Sequence, residues 1–146
     1  SEIIVDQESR IVEVQSNKNV SALTMEVFIL VNIERTKNGI PPLEISGELM
    51  QASDIRAKEI VQSLSHTRPD GTPCFSILEN GQYTLCENIA AGISTAKEVL
   101  AMWMDSQGHR ENILNPDFNE LGIGYFYEAN SEWKHYWVQI FKRPMY

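Results

Sequence analysis

The residues of this chain whose types suit chemistry are few: the histidines His66, His109 and His135, the carboxylate Glu87, and the cysteines Cys74 and Cys86. Two neutral imidazoles with one carboxylate are a recurring ligand set for zinc or another divalent ion whose coordination sphere keeps open positions. His66 and His109 fall in turn-rich connections and Glu87 in an alternating, extended segment. These three are therefore the candidate catalytic set, with His66 and His109 the candidate metal ligands. No local signature of the H-E-x-x-H kind holds them together, so the fold has to assemble the set. Asp105 and Glu111 flank His109 and are candidates to orient it, while Glu79 and Glu120 border turns and read as surface carboxylates. His135 shares parity with Trp133 and Trp137 in an aromatic-rich strand and reads as packing at the edge of the core.

The cysteines leave two alternatives open. A bridge from Cys74 to Cys86 would close a loop of about 13 residues and stabilise by roughly 3 kcal/mol; otherwise both are free thiols. A thiol nucleophile at Cys86 is disfavoured, because neighbouring side chains of a strand point to opposite faces. A strand that aims Glu87 into a cleft turns Cys86 away.

The elements that must position these groups are legible from periodicity. Residues 3–5 and 11–14 are β-branched and separated by a polar stretch, which predicts two short strands or an extended arm over residues 1–20, with a boundary near 17–19. The remainder, 21–146, reads as one domain. A first helix begins at Ser21 or Thr24, carries Val27, Leu30 and Val31 on a 3.6-residue period, and stops at Gly39 ahead of Pro41 and Pro42. Ser46 caps a second helix in which Leu49, Ala52, Ile55, Ala57, Ile60, Val61 and Leu64 form the apolar stripe. Glu48, Asp54, Arg56, Lys58 and Glu59 form the opposing charged side, and this helix ends just before His66.

Pro69, Asp70 and Gly71 then make a turn, and a short helical stretch covers 75–79. Residues 83–89 are extended. Thr95 and Glu98 form a capping box that opens a third helix running to about Ser106, with Gly108 ending it. Alternation over 121–127 and aromatic residues over 133–141 predict a hairpin. Helices early and an antiparallel hairpin late make the fold class α+β, with helices covering a sheet.

Composition excludes several functions. The 146 residues fit one domain, and the net charge of −8 with a pI near 4.8 argues against nucleic-acid and anionic-membrane partners. Apolar runs fall far short of the roughly 20 residues a bilayer requires, so no transmembrane segment is expected. The chain starts at Ser1, as expected of a mature form after signal removal or of a fragment of something longer.

Several ordered stretches carry a family resemblance. They are Asn32-Ile33-Glu34-Arg35 followed by Pro42-Leu43, then His66-Thr67-Arg68-Pro69-Asp70-Gly71, then Glu87-Asn88-Ile89-Ala90, then Gly108-His109-Arg110-Glu111-Asn112-Ile113-Leu114, then Gly122-Ile123-Gly124 and Trp137-Val138-Gln139-Ile140-Phe141. In this order they resemble the bacterial branch of the CAP superfamily, the SCP-like family of cysteine-rich secretory proteins, antigen 5 and pathogenesis-related proteins, over about residues 23–141. The resemblance implies an α-β-α sandwich with helices on both sides of a small antiparallel sheet, and a secreted or cell-surface setting. It also implies a cleft of two histidines and two acids, matched here by His66, Glu87 and His109. The second acid falls at Ser106, with Asp105 beside it, and Cys86 stands where the family usually has glycine.

These readings make the chain an extracellular binding or interaction module, with zinc or another divalent cation weakly bound and a protein, peptide or lipid ligand. The alternatives are a metal-dependent hydrolase of peptide or cell-wall material, and a lipid binder lined by Phe75, Ile77, Leu78, Tyr83 and Leu85. Fold alone does not choose among them. Arg35 and Asn32 are expected to be structural, the arginine meeting carbonyls or a carboxylate near a helix end.

Overall fold

The computed structural model of the protein describes residues 22–78 and 83–144. The expected strands or arm over 1–20 lie outside them, as does Glu79. Helix α1 spans 22–37 and buries Val27, Val31 and Arg35. It ends where Gly39 takes φ +71°, the left-handed conformation that glycine adopts at no steric cost. Strand β1 (Glu44–Ile45) follows, then helix α2 (Gly47–Glu59), whose first turn is closed by Ser46 Oγ accepting from the Leu49 amide at 3.2 Å. After a 3₁₀ turn at Cys74–Ile77 come β2 (Tyr83–Ala91), α3 (Ala96–Asp105), α4 (Gln107–Leu114), β3 (Glu120–Tyr127) and β4 (His135–Pro144).

The sheet order is β1-β3-β4-β2. β4 pairs antiparallel with both β3 and β2, and β1 runs parallel to β3. The sheet is thus mixed rather than wholly antiparallel, because a two-residue strand carries no alternation from which a pairing could be read. One face packs on α2 through Leu49, Ala52, Ala57 and Ile60 against Tyr136, Val138 and Ile140. The other packs under α1, α3 and α4 through Val27, Val31, Val99, Trp103 and Ile113 against Ile123, Trp137 and Phe141. This is the α-β-α sandwich.

Gly122 and Gly124 set how close α2 can lie to the sheet. A Cβ on Gly122 would stand 2.1 Å from the Leu49 carbonyl carbon, and one on Gly124 2.1 Å from the Ser53 carbonyl oxygen, so helix backbone rests on strand backbone. Gly124→Ala is expected to cost about 3 kcal/mol, the upper end for an over-packed core. Urea unfolding checks it; unchanged stability would mean that α2 shifts without loss.

Three local expectations need correction. The second helix stops at Glu59, well before His66, and leaves Leu64 exposed. Gly108 does not end the helical region. Ser106 takes an extended conformation (φ −103°, ψ 123°) and separates α3 from α4, whose short length and single buried residue, Ile113, give too weak a period to be seen. The last strand starts at His135, because Lys134 has φ +67° and breaks the extended run that would have included Trp133.

Candidate functional site

Glu87 lies on edge strand β2 with its side chain turned toward α2, where it is 1% exposed. A buried carboxylate is costly unless it is paired and hydrogen-bonded, and Arg56 supplies both. Arg56 Nε donates to Glu87 Oε2 at 2.8 Å and Nη2 to Oε1 at 3.1 Å. The same guanidinium reaches Glu59 Oε1 at 3.0 Å and the Ser65 carbonyl at 2.7 Å, which anchors the start of the loop carrying His66. Glu59 in turn accepts from Arg68 at 2.7 Å, clamping the loop's far side to α2. Two arginines and two glutamates thus form a neutral quartet.

Burial lowers the Arg56 pKa, but its bonds to Glu87 and Glu59 outweigh this and raise it. Burial raises that of Glu59, and the bonds from Arg68 and Arg56 reverse the shift.

The loop closes on itself. The Cys74 amide donates to the His66 carbonyl at 2.8 Å, and Thr67 pairs with Pro73 as an isolated bridge. This brings His66, Cys74 and Glu87 together, with one potential ligand atom from each lying within 4.8 Å of the others. His66 Nδ1 stands 2.8 Å from Glu87 Oε1, while 58% of its side chain is exposed. Because a carboxylate only accepts, Nδ1 carries the proton and the lone pair of the neutral ring is on Nε2. The Cys74 thiol stands in the same group. Three donors, two from Arg56 and one from His66, thus meet this one carboxylate.

The surroundings of both cysteines disfavour the thiolate. Both are free thiols. Burial, reinforced by the negative charge of Glu87, pushes Cys74 up to about 12; Cys86 reaches about 12 by burial, with Cys74 and Glu87 adding to it. Cys86 packs on the opposite side of the sheet from Arg56, against the core beneath α1 and α3.

His109 is on α4, not in a loop as expected from its glycine-flanked neighbourhood. Asn88, next to Glu87 on β2, points to the other face of the sheet and donates to the His109 carbonyl at 3.2 Å. Asn88 also donates to Gln139 Oε1 at 3.0 Å and accepts from Asn112 at 2.9 Å. Adjacent residues of one edge strand therefore mount the two histidines from opposite faces. Burial, and then the charge of His66, lowers the His109 pKa, which keeps its ring neutral at lower pH than usual. Glu111 does not orient His109, since it accepts from Gln107 at 3.0 Å. Asp105 is exposed at the end of α3. His135 keeps its structural role: its Nδ1 lies 2.6 Å from the Tyr125 hydroxyl and its ring packs against Tyr125 and Tyr127.

Sequence reasoning missed the quartet because Arg56 was placed on the charged side of α2. The signal was present: Arg56 stands seven residues after Leu49 and four after Ala52, on the inward stripe, and it is wholly buried. Ile77, Leu78 and Leu85, expected to line a groove in a lipid binder, pack on the α2 core; Ile77 and Leu78 also border a groove of about 290 Å³ beside Ile55.

A mixed sheet between one helix and three, with an edge strand that bonds a histidine-bearing segment on each side, defines a class of α-β-α sandwich proteins. The chain belongs to the CAP family, described as the cysteine-rich secretory protein family, whose model it matches over residues 28–141. YkwD of Bacillus subtilis (strain 168) is 35% identical over 125 residues, covering 82% of this chain and 48% of YkwD. An extracellular protein containing an SCP domain from Bacillus anthracis str. Ames has a TM-score of 0.73 at 27% identity, covering 85% of this chain and 41% of that one. An outer surface protein from Borrelia burgdorferi shares the fold, with a TM-score of 0.73 at 20% identity, covering 82% of this chain and 91% of that one. The chain spans half or less of the length of the curated relatives it matches.

Proposed function

We propose that this domain is a binding module of a secreted or cell-surface protein, in which His66 Nε2 and the His109 ring hold a divalent cation weakly. The observation that carries this reading is the pairing of buried Glu87 with Arg56 and His66. Its two oxygens accept from Arg56 and one of them also pairs with His66, so we read it as a group that orients an imidazole rather than as a free base acting on water. A hydrolase would need that free base. Imidazole nitrogens suit zinc, and a bound ion would supply a Lewis-acidic centre for a ligand oxygen. His66 belongs to a group with Cys74 and Glu87 whose ligand atoms lie within 4.8 Å of one another, and the approach of the His109 ring to it is part of the proposal. Cys74 adds a soft donor nearby, but its thiol proton, held to about 12, would have to leave first.

With two nitrogens and Ser106 in place of a second acid, affinity stays modest. No helix among the described residues is long and apolar enough to cross a membrane. The extracellular description of the Bacillus anthracis relative supports the proposed location.

Calorimetric zinc titration tests the site. Wild type is expected to bind at about pH 7.5, and His66→Ala and His109→Ala to bind at least about tenfold more weakly, the loss expected when one of two ligands is removed. Affinity should fall as pH drops below the ordinary histidine range, as protons compete for the nitrogens. Unchanged binding in both variants would overturn the assignment. Zinc-dependent turnover of peptide or peptidoglycan that is lost in Glu87→Gln would make the hydrolase the better reading.

A further inference from the structure

Helix α1 is apolar on two opposed sides. Its inner stripe, Val27 and Val31, is wholly buried, whereas Met25, Ile29 and Ile33, spaced by four residues on the outer side, are 43%, 52% and 45% exposed. Around Ile29 and Ile33 runs an open groove of about 490 Å³, lined also by Phe28, Asn32, Thr36 and Lys37. Surface helices ordinarily carry one apolar stripe, and one that is apolar all round is covered on both sides. Three aligned large side chains form a patch rather than scattered exposure.

We propose that the chain's own N-terminal segment, residues 1–20, covers this groove, with Ile11, Val12 and Val14 seated along Ile29 and Ile33. Helix α1 begins at Ala22, to which the segment is joined in sequence through residue 21. Ile29 stands about 10 Å along the helix axis from there and Ile33 about 16 Å, at 1.5 Å per residue. Residues 15–21 in extended form reach about 23 Å, enough to turn back and lay residues 11–14 antiparallel to the helix. Direct tethering also sets a high local concentration, so a weak apolar contact suffices. The β-branched residues at 11, 12 and 14 supply the complementary apolar surface.

The test uses the full chain. Methyl-labelled protein is expected to show NOEs from Ile11, Val12 or Val14 to Ile29 or Ile33. Trypsin cleavage after Arg10 and Lys18 is expected to accelerate at least about tenfold in Ile29→Asp/Ile33→Asp, as an arm held by a weak local contact is released, with an unchanged circular dichroism spectrum showing that the domain remains folded. Absence of those NOEs in wild type would overturn the proposal even if the variant failed to fold. So would equal cleavage rates in a folded variant, or a concentration-dependent dimer that the same substitutions abolish, which would make a second copy the occupant.

Discussion

Arg56→Ala is expected to destabilise the protein by about 3–5 kcal/mol, the range for removing one partner of a buried ion pair. The loss is large because the Glu87 carboxylate stays in place without the two bonds that justify its burial, while Glu59 and the Ser65 carbonyl each lose a donor. Arg56→Lys keeps the charge but not the planar fork, and should lose less. The double variant Arg56→Met/Glu87→Leu should recover much of the stability, since apolar residues of similar volume often replace a buried pair at little cost. It should still bind zinc more weakly, because His66 Nδ1 would have no carboxylate to orient it. Urea unfolding of the three variants, with zinc titration of the double variant, checks these outcomes. A loss below about 1 kcal/mol in Arg56→Ala would show that the pair behaves as a surface one.

Arg35→Ala should cost a comparable amount, about 3–5 kcal/mol, with metal binding intact. The side chain is wholly buried at the end of α1. It donates to the carbonyls of Pro41 at 2.9 Å, Ile113 at 2.8 Å, Asn115 at 2.9 Å and Phe118 at 3.1 Å. Two of these belong to the last turn and cap of α4, so a single cation serves the negative ends of two helices. Each acceptor left without a donor costs about 1–3 kcal/mol if water cannot reach it, and water entering the vacated space would offset part of the sum. Hydrogen exchange should accelerate at 113–118 while His109, near the opposite end of α4, keeps its Asn88 bond. An unchanged melting temperature would contradict this.

Asn32 shows why such residues are legible and others are not. It was expected to be structural together with Arg35, and it exchanges two hydrogen bonds with the Leu43 backbone, at 2.8 and 3.0 Å. For α1, α2, β2 and the β3–β4 hairpin, the local period and the turn residues were strong enough to mark the element. For β1 and α4 they were too short. The same limit hid the secondary structure around His109, although its identity as a candidate residue was readable.

The sequence by itself determined the chemistry available: three histidines, a Glu87 whose parity opposes Cys86, and an acidic composition with no nucleic-acid footprint. Residue type and local period do not depend on partners distant along the chain. Only the tertiary structure decided what Glu87 does. Its bonds to Arg56 and His66 span 31 and 21 positions, and whether a carboxylate is a free base or a paired acceptor depends on which donors the fold brings within about 3 Å. Burial sets that outcome too, since in a low-dielectric interior an unpaired charge is too costly to leave, and so the fold that hides Glu87 must also deliver its arginine.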